Sequence, residues 1–237
     1  MACIGTISAL GAVLTLASAG DDRSLAIGAE ASFPPYVELA ADGSLTGHDY
    51  ELMQEICARL ARHCDWQTVT FEELIPGVIE GRFDVVLGGM AITPERRRLV
   101  DFTTSYAPGG GLDWFVGPPE APQPDKARIS VEAGTIHESY LQAEGLSYRG
   151  YPTEFDALKA VAGGQADMAL GPYQGRPELD ELIYGKGLEF LLSVEIPDEG
   201  VGMAVCRGNT ALLNDLNATL EAMRKDGALD ALESRWF

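Results

Sequence analysis

The chain has 237 residues, of which 46% are hydrophobic, and this is enough for one large domain or two smaller lobes with apolar cores. Its 17 basic and 36 acidic residues leave a formal net charge of −19, which repels nucleic acid phosphates and anionic lipid and so argues against binding to either. The three histidines and four cysteines show no metal-ligand spacing, so we expect no metal site and no bound cofactor.

The chain begins with a stretch of apolar and small residues, 4–19, that ends in Ala-Ser-Ala before Gly20. This pattern is typical of the core and cleavage site of a secretory signal peptide, although the usual basic segment in front of it is missing. Either the true start lies upstream, or the chain is trimmed, or the signal is a poor one. We expect export and place residues 1–20 outside the fold.

Short apolar strands alternate with amphipathic helices along the rest of the chain, a pattern typical of mainly parallel sheets covered by helices on both faces. In the first half, the predicted elements are strands at residues 25–29, 66–69 and 84–87 and helices at residues 51–62 and 72–80. In the second half, they are strands at residues 129–132, 146–151 and 168–170 and helices at residues 136–143 and 154–162. The pattern therefore predicts two similar α/β halves.

Two segments are predicted to connect these halves. Residues 107–112 are rich in glycine and precede an apolar strand at 114–116, and the chain is expected to return near residues 195–203. A last helix at residues 210–225 is predicted to end at Gly227. Two lobes joined by a pair of extended segments can close on a ligand, because a few residues absorb the rotation.

One arginine lies shortly after a turn of small residues. The segment GGMA, residues 88–91, would leave backbone N–H groups unobstructed, and the Thr93-Pro94 pair marks the start of a short helix. Arg96 can then reach back across the turn with a planar set of donors that suits a carboxylate. The sequence therefore predicts an anion site. The alternative is that Arg96 belongs to a solvated basic run, residues 96–98.

Five segments, in order, resemble the family 3 extracellular solute-binding proteins, the periplasmic amino-acid-binding components of ABC importers. They are residues 32–56, the anion-site segment 88–106, residues 128–141, residues 163–173 and residues 202–237. The resemblance covers nearly all of residues 21–237. One departure within it is His48, which stands where the family usually has an aromatic residue.

The resemblance implies an α/β fold with two lobes of the type II periplasmic-binding-protein kind, in which mixed sheets are flanked by helices and two crossover segments form a hinge. Residues 21–112 and 202–237 would form lobe 1, and residues 113–201 would form lobe 2. The implied function is capture of a small carboxylate-bearing ligand, an amino acid or a derivative, and its delivery to an ABC permease in the inner membrane. Such a protein is periplasmic, is not an enzyme and is expected to be a monomer.

Six positions match the family's ligand site. They are Arg96 with the backbone at Gly89 and Ala91 for the ligand carboxylate, Thr135 for a helix start that offers N–H and hydroxyl donors to the same group, and Phe33 and Phe71 for aromatic walls. For each phenylalanine, ordinary core burial is the alternative. The resemblance to basic-amino-acid-binding members also implies a disulfide between Cys57 and Cys64, for which two buried thiols are the alternative.

Pro172 is the main departure from the family pattern. Amino-acid-binding members place there a carboxylate that accepts the ligand's α-ammonium, and proline has no such group. Because a buried ammonium needs an anionic partner, either another carboxylate takes this role or the ligand has no amine. Glu30 and Glu132 are the two candidates, and ordinary surface acids are the alternative for both.

Two other functions stay open. The same fold serves a periplasmic prephenate or arogenate dehydratase, in which Glu132 or Glu30 would have to act as the acid. A third hypothesis is an extracytoplasmic sensor module, which would need a separate signalling partner. The sequence does not identify the ligand.

Overall fold

The computed structural model describes residues 24–109 and 111–237, so the predicted signal segment, residues 1–20, lies outside the described residues. The strands are β1 (Leu25–Ala29), β2 (Ser32–Phe33), β3 (Val37–Leu39), β4 (Leu45–Thr46), β5 (Cys64–Thr68), β6 (Val85–Leu87), β7 (Val100–Phe102), β8 (Asp113–Gly117), β9 (Ile129–Glu132), β10 (Tyr148–Tyr151), β11 (Met168–Gly171), β12 (Glu189–Val194) and β13 (Ala204–Cys206). The helices are α1 (His48–Arg59), α2 (Phe71–Ile79), α3 (Pro94–Arg97), α4 (Ile136–Ala143), α5 (Glu154–Ala162), α6 (Asp180–Ile183), α7 (Thr210–Asp226) and α8 (Ala228–Trp236).

The chain divides into two compact units. The described part of unit 1 consists of residues 24–69, 74–108 and 200–237, and that of unit 2 consists of residues 70–73, 109 and 111–199. By its contacts, the first turn of α2 therefore groups with unit 2 and the rest of that helix with unit 1.

Unit 1 is built on a mixed sheet with the strand order β5-β1-β6-β13-β7. Strand β1 pairs in parallel with β5 and β6, whereas β13 pairs antiparallel with β6 and β7. Strands β1 and β6 are almost wholly buried, as expected for parallel strands covered on both faces. Helices α1, α7 and α8 share one apolar core with β1 and β6. The carboxyl ends of β1 and β6 lead directly to Glu30 and Gly88.

A small antiparallel sheet, β2-β3-β4, precedes α1 and was not predicted from the sequence. Helix α1 begins at His48, earlier than the predicted residue 51, because Gly47 turns the chain with a φ of 121°. The His48 N–H donates to the Pro35 carbonyl at 2.8 Å and the Asp49 N–H to the Tyr36 carbonyl at 2.9 Å. These bonds tie the start of α1 to the turn after β2.

Unit 2 contains a second mixed sheet, with the order β10-β9-β11-β8-β12. Strand β9 pairs in parallel with β10 and β11, and β8 pairs antiparallel with β11 and β12. One face packs against α4 through Leu141, and the other packs against α5 and α6 through Leu158 and Ile183. Strand β9 contributes to both faces: Ile129 and Val131 lie on the α4 face, whereas the Ser130 hydroxyl donates to the Ala157 carbonyl of α5 at 2.7 Å.

A disulfide joins Cys57 of α1 to Cys64 at the start of β5, which confirms the predicted pairing. The predicted helix 51–62 ends earlier, at Arg59, because Ala61 adopts a positive φ of 53° that no continuing helix can hold. Among the helices of the described residues, none combines the length and the apolar character that crossing a membrane requires.

Candidate functional site

Arg96 is buried at the end of a short capped turn in unit 1. Thr93 is the N-cap of α3, where its hydroxyl oxygen accepts from the Arg96 N–H at 3.2 Å, and Pro94 follows at the first helical position. The Arg96 guanidinium turns back and donates from Nη1 to the Ala91 carbonyl at 2.7 Å. Its exposure is only 8%, whereas Arg97 and Arg98 are exposed. Arg96 is therefore not part of a solvated basic run.

The N–H groups of the preceding turn are not all open to a ligand. Gly88 and Gly89 both donate their N–H groups to Asp49 Oδ2, at 3.0 and 2.9 Å. Ala91 and Val201 form an isolated antiparallel bridge, in which the hydrogen bonds are made by the residues on either side of them. The Ala91 N–H therefore points away from Val201. The Ala91 N–H is thus used neither by Asp49 nor by the bridge.

Asp49 is a buried carboxylate beside this turn that the sequence analysis did not single out. It is fully buried, and Oδ2 accepts from the Tyr106 hydroxyl at 2.6 Å as well as from the two glycine N–H groups. Its Oδ1 lies 2.8 Å from His48 Nδ1, and the His48 ring stacks on Tyr106. Burial first, and then the charge of Asp49 and the hydrogen bond to it, raise the pKa of Tyr106 well above its usual value. Asp49 therefore fixes the turn at Gly88 and Gly89 by accepting hydrogen bonds from both backbone N–H groups.

Two aromatic rings cover the same turn. Phe33 is half-buried and stacks on Tyr36 with 5.2 Å between ring centroids. A Cβ atom at Gly89 would lie 2.6 Å from the Phe33 ring and 2.8 Å from the Tyr36 ring. Glu30, which follows β1, is buried and accepts a hydrogen bond from the Ser32 hydroxyl. Unit 1 thus places Glu30, Phe33, Gly89, Ala91 and Arg96 in the segments that follow β1 and β6.

Unit 2 carries the remaining predicted positions. Thr135 is the N-cap of α4: its hydroxyl oxygen accepts from the Glu138 N–H at 3.3 Å and donates to the Glu132 carbonyl at 2.8 Å. The hydroxyl proton is therefore already used, and the first-turn donors that Thr135 does not use are the backbone N–H groups of Ile136 and His137. Phe71 is buried at the start of α2.

Glu132 and Pro172 lie at neighbouring strand ends in unit 2. Glu132 is the last residue of β9 and is buried, and Pro172 directly follows β11. Proline offers no side-chain acceptor, so at this edge of the sheet Glu132 supplies a carboxylate where residue 172 cannot. The described residues contain no group of His, Cys, Asp and Glu side chains that could hold a metal ion.

A sequence profile of the bacterial extracellular solute-binding proteins, family 3, matches residues 25–237. The chain therefore belongs to this family.

Relatives and solved structures agree with this assignment. The chain is 29% identical to the ABC transporter arginine-binding protein 1 of Escherichia coli (strain K12) over an alignment 245 residues long. This alignment covers 98% of this chain and 97% of that protein. A periplasmic His/Glu/Gln/Arg/opine family-binding protein from Silicibacter pomeroyi, solved in complex with lysine, is 27% identical with a TM-score of 0.79, and the match covers 90% of this chain and 97% of that one. An ancestral amino acid-binding protein, a precursor of cyclohexadienyl dehydratase, is 25% identical with a TM-score of 0.73, covering 90% and 95%. The fold is that of the periplasmic binding proteins.

Proposed function

We propose that this protein is the solute-binding component of an ABC importer, that it works in the periplasm as a monomer, and that its ligand is an amino acid or an amino-acid derivative with a cationic group. The observation that carries this proposal is the burial of Arg96 behind the capped turn. Similarity to an arginine-binding protein and to a protein solved with lysine supports the ligand class. Delivery to an inner-membrane permease follows from the same similarity.

The chemistry of Arg96 favours a ligand carboxylate. Its Nη1 is used by the Ala91 carbonyl, which fixes the guanidinium plane, and a guanidinium presents five donors in all. A carboxylate can accept two parallel hydrogen bonds from such a group, and desolvation strengthens them. The Ala91 N–H and the first-turn N–H groups of α4, after Thr135, would be further donors to the ligand.

The apolar and acidic positions would select the rest of the ligand. Phe33 and Phe71 offer aromatic surfaces suited to an aliphatic or cationic side chain. Glu30 and Glu132 are buried carboxylates and would accept hydrogen bonds from ammonium or guanidinium groups. We therefore propose that the ligand is a basic amino acid rather than a neutral one.

Thermal unfolding of ligand-stripped protein with a panel of amino acids, betaines and dicarboxylates tests the proposal. At a hundredfold excess over Kd a ligand adds about 2.7 kcal/mol of stability, which raises Tm by roughly 2–4 °C per kcal/mol for a chain of this size. We expect a shift of several degrees with L-arginine or L-lysine. It should vanish in Arg96→Ala and persist in the matched variant Arg98→Ala, which removes an exposed arginine. A panel in which no carboxylate compound shifts Tm contradicts the proposal.

We propose no enzymatic activity. The neighbour related to cyclohexadienyl dehydratase is itself described as an amino acid-binding protein, so it supports binding rather than catalysis. Incubation with prephenate, followed by ultraviolet absorbance, should show no turnover above that of buffer.

A further inference from the structure

Glu132 and Gly171 lie side by side on adjacent strands of unit 2. Strands β9 and β11 are parallel, with Val131 opposite Leu170, so the next residue of each strand follows in the same register. Because side chains alternate along a strand, Glu132 lies on the same face of the sheet as Ser130, the face that packs against α5. The residue that follows β11 on this edge is Pro172.

Tyr173 fills the place that a side chain at Gly171 would take. A Cβ atom on Gly171 would lie 2.8 Å from Tyr173 Cζ and 3.1 Å from its hydroxyl oxygen. The Tyr173 ring therefore folds back along the α5 face, where it belongs to the apolar core with Leu158 and Ala169. Its hydroxyl consequently reaches the strand end beside Glu132.

The Tyr173 hydroxyl is buried in unit 2. Tyr173 is 1% exposed, and its hydroxyl oxygen has no hydrogen-bond partner within residues 24–109 and 111–237. A buried hydroxyl in that state is unfavourable, because it has lost its hydrogen bonds to water without replacing them. An apolar phenylalanine would fill the same core space without this cost, so packing alone does not account for a tyrosine here.

The surroundings of the Tyr173 hydroxyl favour a cation. Burial, and then the charges of Glu154 and Glu132, raise the pKa of Tyr173 well above its usual value, so the phenol stays neutral. Arg176 donates to Glu154 at 2.7 Å and also to Glu178. Together with Glu132, this cluster carries three carboxylates against one guanidinium. An anionic ligand group would be repelled here, whereas an ammonium or guanidinium group would be attracted.

We propose that the Glu132 carboxylate and the Tyr173 hydroxyl together accept hydrogen bonds from a cationic group of the ligand, and that Tyr173 is a specificity-determining residue. The inference rests on the proposed function, since it assigns a part of the ligand to residues of this chain. In this arrangement the Tyr173 ring folds back over Gly171, and its hydroxyl supplies the polar atom that Pro172 lacks.

The test is calorimetric binding of L-lysine to ligand-free wild type and Tyr173→Phe, which keeps the ring and removes only the hydroxyl. Loss of a hydrogen bond to a charged group predicts about a 10-fold or greater rise in Kd. The urea midpoint of the ligand-free protein should not fall, because the hydroxyl makes no bond to the described residues. Tyr140→Phe is the matched control: Tyr140 packs partly buried on the opposite face of the same sheet, and its variant should bind as wild type does.

Two lysine analogues separate charge recognition from shape. L-Norleucine lacks the side-chain ammonium of lysine, and 6-aminohexanoate lacks the α-ammonium. One of these two ammonium groups contacts the Tyr173 hydroxyl in the proposed arrangement. Wild type and Tyr173→Phe should therefore bind the analogue that lacks this group with equal affinity. An equal loss for L-lysine and both analogues overturns the inference, as does an unchanged Kd for L-lysine. If wild type binds neither L-lysine nor L-arginine, the preference for a basic amino acid proposed above is wrong and this inference fails with it.

Discussion

Asp49 shows how a single buried carboxylate shapes the turn before Arg96. One of its oxygens accepts from Gly88, Gly89 and Tyr106, and the other lies against His48. These contacts direct two backbone N–H groups into the protein and leave the Ala91 N–H outside this network, where we propose that it donates to the ligand. The geometry of the proposed clamp therefore depends on a fully buried residue.

Gly89 should be far less tolerant of substitution than Gly43. Both have positive φ, 63° and 83°, and alanine there costs about 1–2 kcal/mol in backbone strain. Only at Gly89 would the added methyl also clash with Phe33 and Tyr36, and overpacking of this kind costs about 1–3 kcal/mol more. Urea unfolding of Gly89→Ala and Gly43→Ala should show the larger loss for Gly89→Ala. Equal losses would mean that the rings move aside at no cost.

At the scale of residues, the sequence predicted what local geometry determines. Thr93, Pro94 and Arg96 lie within four positions, so their cap and side-chain reach could be read from spacing. Asp49 lies 39 residues before Gly88, and the partner of such a carboxylate depends on how β6 meets α1. The sequence did not reveal the placement of Tyr173, because the direction of its ring depends on the absent side chain at Gly171.

At the level of secondary structure, the predicted helix bounds were accurate where a capping residue marks the end of the helix. Helices α4 and α5 have the predicted bounds, and both begin after a threonine whose hydroxyl oxygen accepts from the third helical N–H. Helix α7 ends at Gly227 as predicted, with a φ of 81°. Strands β2 and β4 escaped prediction because two residues cannot display an alternating pattern.

The disulfide between α1 and β5 should stabilise unit 1 measurably. Cys57 and Cys64 close a short loop, and the chain-entropy treatment gives roughly 2–3 kcal/mol for it. The double variant Cys57→Ala/Cys64→Ala should therefore unfold at lower urea concentration than oxidised wild type, with a similar slope. Ligand affinity should be unchanged, because neither cysteine lies at the turns after β1 and β6. An unaltered urea midpoint would show that the loop is equally constrained without the bond.

At the scale of the whole molecule, both units use the same sheet plan. In each five-stranded sheet the first three strands in spatial order are parallel, the fourth runs antiparallel to them, and the fifth runs antiparallel to the fourth. Each unit places its candidate residues at or after the carboxyl ends of its parallel strands. Ligands of open α/β sheets are typically bound at such strand ends. The net charge of −19 adds a long-range attraction for cationic solutes, which weakens as salt concentration rises.

We propose that this family 3 protein binds a basic amino acid through a carboxylate clamp at Arg96. Calorimetric titration of ligand-free protein with L-arginine and L-lysine would measure the contribution of that side chain. We expect saturable binding of one ligand per chain in wild type and in Arg98→Ala, and at least about a 100-fold weaker affinity in Arg96→Ala, where charge-assisted hydrogen bonds are lost. Equal affinity in wild type and Arg96→Ala, or no binding of either amino acid to wild type, would rule out the clamp.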